Sequence, residues 1–264
     1  MIKLIGIPFD ANSSFLKGPA YAPQRIRLMD TEGSANAFSE TGIAIKDGLN
    51  YQDCGDIQFE NTNASLAFET IQTEVKKLVS DGSKVISLGG DHSISYPVID
   101  VIADQYPGLN ILHLDAHGDL YDSFDDNPLS HASPFARLME TGKINSLTQV
   151  GVRTYNTHQR AQLDRFGIQA IEMKDFSFDF LKTLEVPLYL SVDIDVLDPA
   201  FAPGISHHEP GGMTTRELFK IIQNIPVEII SADIVEYNPV RDVHNMTAMV
   251  AYKVFKEIVA KMSA

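Results

Sequence analysis

Basic side chains are scarce in this 264-residue chain: 21 Lys and Arg stand against 35 Asp and Glu, a formal net charge of −14. Phosphate backbones are bound with Lys and Arg, so this balance speaks against a nucleic-acid partner and suits a small cation or metal ions. Cysteine is nearly absent. Cys54 stands alone, which excludes an intrachain disulfide framework and fits a reducing compartment. A lone cysteine is most often a small buried hydrophobe, not a catalytic group. No apolar run approaches the ~18 residues a membrane span needs, so no membrane partner is expected. The opening stretch, MIKLIGIPFDANSS, has neither a long apolar segment nor a small-residue cleavage site. The expected location is cytoplasmic.

What remains is the composition of a globular protein, 44% hydrophobic and 21% charged. Its patterning alternates strands with helices. Strands are expected at Ile2–Pro8, near Asp53–Ile57, and at Lys84–Leu88, Asn110–Leu114, Gln149–Val152, Gly167–Ile171, Pro187–Val192 and Val227–Val235. Helices are expected at Pro19–Met29, Ser65–Ser80, Ile94–Gln105, Ser133–Gly142, Thr157–Phe166, Asp179–Leu184, Thr214–Ile225 and Met246–Lys261. Thr31–Leu49 lacks periodicity and is expected to be irregular. Such alternation implies an α/β fold, a parallel sheet covered on both faces. No linker or repeat interrupts it, so residues 1–264 are expected to form one domain.

The chemistry gathers at strand ends. The run LNILHLDAHGD carries an apolar strand into Asp115, His117 and Asp119, spaced by two so that all three can face one side. The strand Pro187–Val192 runs into Asp193 and Asp195 at the same spacing, and His92 follows Lys84–Leu88 in a Gly-Gly-Asp-His turn. Open parallel sheets bind ligands just past the carboxyl ends of their strands. Four carboxylates, two imidazoles and no thiolate are too acidic for structural zinc. They suit Mn²⁺ and can accept Fe²⁺, Co²⁺, Ni²⁺ or Zn²⁺. Around one divalent ion the carboxylates leave surplus negative charge, whereas two ions balance it better. His113 is expected to point away from this cluster as a satisfied core histidine, and Asp91 to orient His92 or nearby backbone. Thr214 with Glu217 three residues on forms a capping-box pattern.

These residues, in this order, resemble the ureohydrolase family of arginases and agmatinases. The resemblance rests on Gly89-Gly90-Asp91-His92-Ser93, Asp115–Asp119 and Ser191–Pro199, and runs over nearly the whole chain. It is closest to plant-type arginases, through Asn12–Phe15, Ser93–Pro97, Ser130–Ser133, Gly204–Gly212, Glu236–Pro239 and Met246–Ala251. It implies a three-layer α/β/α sandwich around a mostly parallel eight-stranded sheet, and assembly as a homo-oligomer, a trimer or hexamer. It further implies two Mn²⁺ per subunit: one held by His92, Asp115, Asp119 and Asp193, the other by Asp115, His117, Asp193 and Asp195. His131 matches the family's proton-shuttling histidine, and Glu217 matches the glutamate that pairs with a guanidinium. The capping role of Glu217 competes with that second role, and substrate binding is favoured. Asp119 and His131 are the groups expected to move protons.

The implied activity is hydrolysis of a small cationic guanidino substrate to urea and an amine, foremost L-arginine to L-ornithine. The substrate's tail is expected to meet Tyr121, Asn156 and His207. Asn156 stands where animal-type arginases carry an aspartate, which leaves agmatine, 4-guanidinobutyrate or a formimidoyl compound as alternatives. A non-catalytic metal-binding homologue is a further one, disfavoured by the intact set of six ligands.

Overall fold

A computed structural model describes residues 1–34, 36–60 and 63–264. Its centre is an eight-stranded sheet: β1 (Ile2–Gly6), β2 (Tyr51–Asp56), β3 (Lys84–Leu88), β4 (Leu109–Leu114), β5 (Ile144–Val150), β6 (Gln169–Ile171), β7 (Leu188–Asp193) and β8 (Ile229–Val235). The strands lie in the order β2-β1-β3-β8-β7-β4-β5-β6, and every pairing is parallel, not mostly so. The four central strands, β3, β8, β7 and β4, are buried along nearly their whole length because both of their faces are covered.

The helices are α1 (Ala22–Leu28), α2 (Ala64–Val79), α3 (Ser95–Gln105), α4 (Pro134–Glu140), α5 (Thr157–Phe166), α6 (Thr215–Asn224) and α7 (Met246–Ser263). Two separate apolar cores follow from how they divide. On one face α2, α3 and α4 pack together over Phe68, Ile71, Val75, Ile99 and Phe135. On the other, α7 packs against α1, α6 and β8 over Ile26, Leu218, Ile222, Val254 and Ile258. Pro97 sits in the first turn of α3, where its missing N–H costs nothing.

Several expectations shift. β5 begins five residues before the expected Gln149: Asn145 and Ser146 are polar and exposed, which hides the strand from apolar patterning, and pairing with β4 holds this part extended. The expected helix over Asp179–Leu184 is a 3₁₀ segment, Phe178–Thr183. Cys54 is exposed on the edge strand β2, not buried. Within 31–49, the described residues form turns and isolated bridges only.

Edge strand β2 exposes half its side chains and is tied down by charge. Arg27 of α1 donates to Asp53 at 2.7 and 3.0 Å, to Asp56, and to the Gly55 carbonyl at 3.0 Å. These side chains are only a fifth to a quarter exposed, so solvent screens the clamp weakly. Arg27→Ala is expected to cost about 2 kcal/mol, read from urea denaturation, with faster amide exchange in β2. An unchanged midpoint and exchange pattern would remove β2's dependence on this clamp.

Candidate metal centre and substrate cavity

Every element of the site hangs from the carboxyl end of a central strand. β3 leads into the Gly89–Asp91 turn and His92; β4 into Asp115, His117 and Asp119; β7 into Asp193 and Asp195; β8 into Glu236. The loop after β1 crosses over the β3 turn so closely that a Cβ on Gly90 would lie 1.8 Å from the Phe9 carbonyl oxygen. Glycine is required there, and the crossing delivers Asn12–Ser14 to the site. Asp119 and Glu236 hold φ of 49° and 62°, a left-handed conformation that costs energy outside glycine and is kept where surrounding structure enforces it.

The six predicted ligands come together. His92 Nδ1 lies 3.2 Å from Asp115 Oδ2, 3.0 Å from Asp119 Oδ2 and 3.2 Å from Asp193 Oδ2. His117 Nδ1 lies 3.0 Å from Asp195 Oδ2 and 3.4 Å from Asp115 Oδ1. Asp115 thus belongs to both clusters. On its far side the His92 ring donates from Nε2 to Ser191 Oγ at 3.1 Å, and Ser191 in turn donates to the buried Asp233 at 2.7 Å. That chain turns Nδ1 towards the carboxylates, where it is fully buried and makes no hydrogen bond of good geometry. An orphaned imidazole nitrogen facing three carboxylates is a donor set that fits a divalent cation.

The electrostatics agree. Burial, then the neighbouring Asp195 and Asp115, push the Asp193 carboxyl well above its usual range; burial also raises Asp195. Burial disfavours charge on His92 and His117, but the carboxylates around them outweigh it and raise both rings well above 6.5. The same cluster thus favours positive charge on its rings and disfavours negative charge on Asp193 and Asp195, as a surplus of buried carboxylates demands.

Above this floor lies a cavity of about 190 Å³, lined by Ser14, Tyr121, His131, Thr154, Gln159, His207 and Glu236 among others. It holds about six water volumes, the size of a small molecule. Glu236 accepts from His131 Nδ1 at 2.8 Å and from the His92 backbone N–H at 2.9 Å; both bonds fall on Oε1. Its other oxygen is left to accept from a ligand. His131 Nε2 accepts from the Ser14 backbone N–H at 3.2 Å and lies 2.8 Å from Ser14 Oγ, so the ring has a lone pair on that side with which to take a proton. Burial opposes charge on His131, but the Glu236 carboxylate outweighs it and lifts the ring to about 9.

Three expectations need correction. Glu217 does not reach the cavity: Oε2 accepts from Thr214 N at 2.8 Å and Thr214 Oγ1 at 2.9 Å, the capping box that opens α6. The glutamate facing the cavity is Glu236, whose signal lay in the Glu236–Pro239 stretch. Asn156 also turns away. It caps α5 through Gln159 N at 2.9 Å and donates to Tyr121 OH at 2.6 Å, bracing a cavity residue without lining the cavity. His113 points to the site, because residues two apart on a strand share a face: its Nε2 lies 2.7 Å from Asp115 Oδ2.

Tyr121 and His207 line the cavity; Asp91 accepts from the backbone of Asn12 and Ser93 at 3.0 and 3.1 Å, fixing both loops beside His92. Ser14, Thr154 and Gln159 line it without having been singled out. Arg153 was also missed as a brace: it donates to the carbonyls of Asp195 at 2.8 Å and Glu209 at 2.7 Å, pinning the loops after β7.

The raised His131 implies a pH window. An unfolded histidine titrates near 6.5, so the pair with Glu236 stabilises fully below that pH and its contribution is lost as pH rises through about 9. In metal-free protein, the destabilisation caused by His131→Asn is expected to shrink across this window, measured by urea denaturation. A difference independent of pH would remove the ion pair from the account.

The comparisons follow the same lines. The Arginase family model matches residues 1–260. The chain is 44% identical over 275 residues to mitochondrial arginase 1 of Arabidopsis thaliana, covering 98% of this chain and 80% of that protein. It is 32% identical over 268 residues to the agmatinase of Bacillus anthracis, covering 97% and 90%. The solved arginase from Medicago truncatula superposes with a TM-score of 0.94 at 39% identity, covering 99% of this chain and 87% of that one. The chain belongs to the arginase family, hydrolases acting on guanidino carbon–nitrogen bonds.

Proposed function

We propose that this protein hydrolyses L-arginine to L-ornithine and urea, with two Mn²⁺ ions held by His92, Asp115, His117, Asp119, Asp193 and Asp195. The observation that carries the reading is Glu236: a buried carboxylate, bonded to His131, facing a small cavity whose floor is the His/Asp clusters. Divalent ions held by these six residues would supply the acidity that makes water available as a nucleophile near neutral pH.

The protein's own groups do the rest. A guanidinium carbon is a poor electrophile because its charge is spread over three nitrogens, so position matters. Glu236 accepts an N–H from the guanidinium in a charge-assisted bond and holds its carbon over the floor. Asp119, which lines the cavity, takes the proton released by the nucleophile. His131, facing the cavity and held by Glu236 through Nδ1, takes up a proton and passes it to the departing amine. Ser14, Tyr121, Thr154, Gln159 and His207 surround the substrate's tail.

L-Arginine comes first because the Arabidopsis thaliana arginase is the nearer relative by identity, 44% against 32% for the Bacillus anthracis agmatinase. One observation favours agmatine as a second reading: no Lys or Arg is among the described residues lining the cavity, and agmatine has no carboxylate to be met. Urea release from L-arginine, agmatine and 4-guanidinobutyrate, measured side by side after Mn²⁺ loading, separates them. L-Arginine is expected to give the highest kcat/KM. A clear preference for agmatine would reverse the assignment.

The two glutamates provide a sharper test. Glu236→Gln is expected to lower kcat/KM by about 10²–10³-fold, the scale of losing one charge-directed contact in a dry site. Glu217→Ala is expected to cost about 1 kcal/mol of stability through the lost cap, and to leave kcat/KM within about twofold. The opposite pattern would return Glu217 to the substrate. Chelation, or Asp193→Ala, is expected to abolish urea release; full turnover by metal-free protein would sink the metal-dependent reading.

A further inference from the structure

His113 is fully buried on β4, its ring 3.9 Å from that of Phe135 and 5.0 Å from that of His92. It sits close enough to His92 and Asp115 to complete a third set of possible metal ligands. The bonds behind it decide whether it is one. Nδ1 lies 2.9 Å from Nε2 of Gln149, the residue directly opposite on β5. The same Gln149 Nε2 lies 2.6 Å from the Gly118 carbonyl oxygen, and Gln149 Oε1 accepts from Tyr155 OH at 2.7 Å.

A carbonyl oxygen cannot donate, so the amide atom facing Gly118 must be the NH₂ group. Its second hydrogen then points at His113 Nδ1, which must accept. A neutral ring that accepts at Nδ1 carries its proton on Nε2, and that N–H donates to Asp115 Oδ2 at 2.7 Å. Every partner in the chain is thereby assigned without a conflict.

We infer that His113 is a positioning residue and not a metal ligand: Tyr155, Gln149 and His113 form a buried relay that holds the Asp115 carboxylate, the group common to both His/Asp clusters. The inference rests on the metal reading proposed above. Three features of the chain follow from it. Gln149 is a fully buried polar residue on β5 because it sets the tautomer of His113. Tyr155 locks the amide against rotation by donating to its oxygen. Gly118 has no side chain because a Cβ there would lie 2.6 Å from Tyr155 Cε1, displacing the tyrosine from Gln149.

Two measurements test the relay. In metal-free protein with ¹⁵N-labelled histidine, NMR is expected to show His113 protonated on Nε2 and bare on Nδ1, the signals assigned by their loss in His113→Phe. Binding of Mn²⁺ alone, followed by the EPR signal of the free ion, is expected to weaken about 10–100-fold in His113→Phe, which keeps a ring against Phe135 but has no N–H. His113→Gln, whose amide restores a donor near the Nε2 position, is expected to recover most of that loss. A proton on Nδ1 would overturn the relay. So would His113→Phe binding Mn²⁺ as tightly as the parent while Asp193→Ala does not. Parent protein binding no better than Asp193→Ala would sink the metal reading instead, and the tautomer would still decide the relay.

Discussion

Buried negative charge is the constraint on which this structure depends. Asp115, Asp119, Asp193 and Asp195 are each less than a tenth exposed, and all converge at one end of the sheet. Taking carboxylates out of water costs several kcal/mol each unless something cationic or hydrogen-bonding meets them. The fold supplies part of the answer: backbone N–H groups of His117, Ala116 and Asp195 donate to Asp115, Asp195 and Asp193 at 2.6, 3.1 and 2.8 Å. It leaves the rest unmet. His92 and His117 turn single nitrogens into the cluster, and protons or metal ions must complete it. A cation that completed such a site would stabilise the fold by the same contacts, which would couple metal binding to folding.

The sheet makes that concentration of charge possible. With the order β3-β8-β7-β4 at its middle, four strand ends lie side by side, and the two helix layers bury their apolar lengths on both faces. His92 and Glu236 stand 144 residues apart in the chain, yet strand pairing brings His92, Asp115, Asp193 and Glu236 to one rim. Rigid strands set the ligands; the loops after β1 and β4 bring Ser14, Tyr121 and His131 over them. Tolerance is therefore unequal. The floor is fixed by backbone register, while the walls belong to loops braced by Asp91 and Arg153.

What could be read from residues alone divides along the same line. Period-two spacing is a local property, so Asp115, His117, Asp119, Asp193 and Asp195 were legible as ligands, and the alternation of strands and helices gave the layers. The same rule places His113 with Asp115 on one face of β4. Glu217 against Glu236 was a different problem. Both follow family-like stretches, and a capping box is itself a strong local signal; which carboxylate faces the cavity depends on how β8 ends, and on the left-handed turn at Glu236, neither of which is local. Gln149 and Arg153 were invisible for the same reason: their meaning lies in partners on other strands and loops.

The two ends of the cavity therefore obey different physics. At the floor, position and charge are overdetermined: Glu236 Oε1 is taken by two donors, His92 by Ser191, Asp91 by two loops. At the other end the lining is neutral, made of Ser14, Thr154, Tyr121 and Gln159, and Gln159 Oε1 is buried without a partner. A buried acceptor left unpaired costs about 1–3 kcal/mol, which a ligand's N–H can recover. Substrate choice thus lies where the chain has spare hydrogen-bonding capacity and no fixed charge. Relatives named arginase and agmatinase both match this chain over nearly its whole length, so the shared fold does not by itself name the substrate. The reaction is written into strand ends, and the substrate into the loops that cover them.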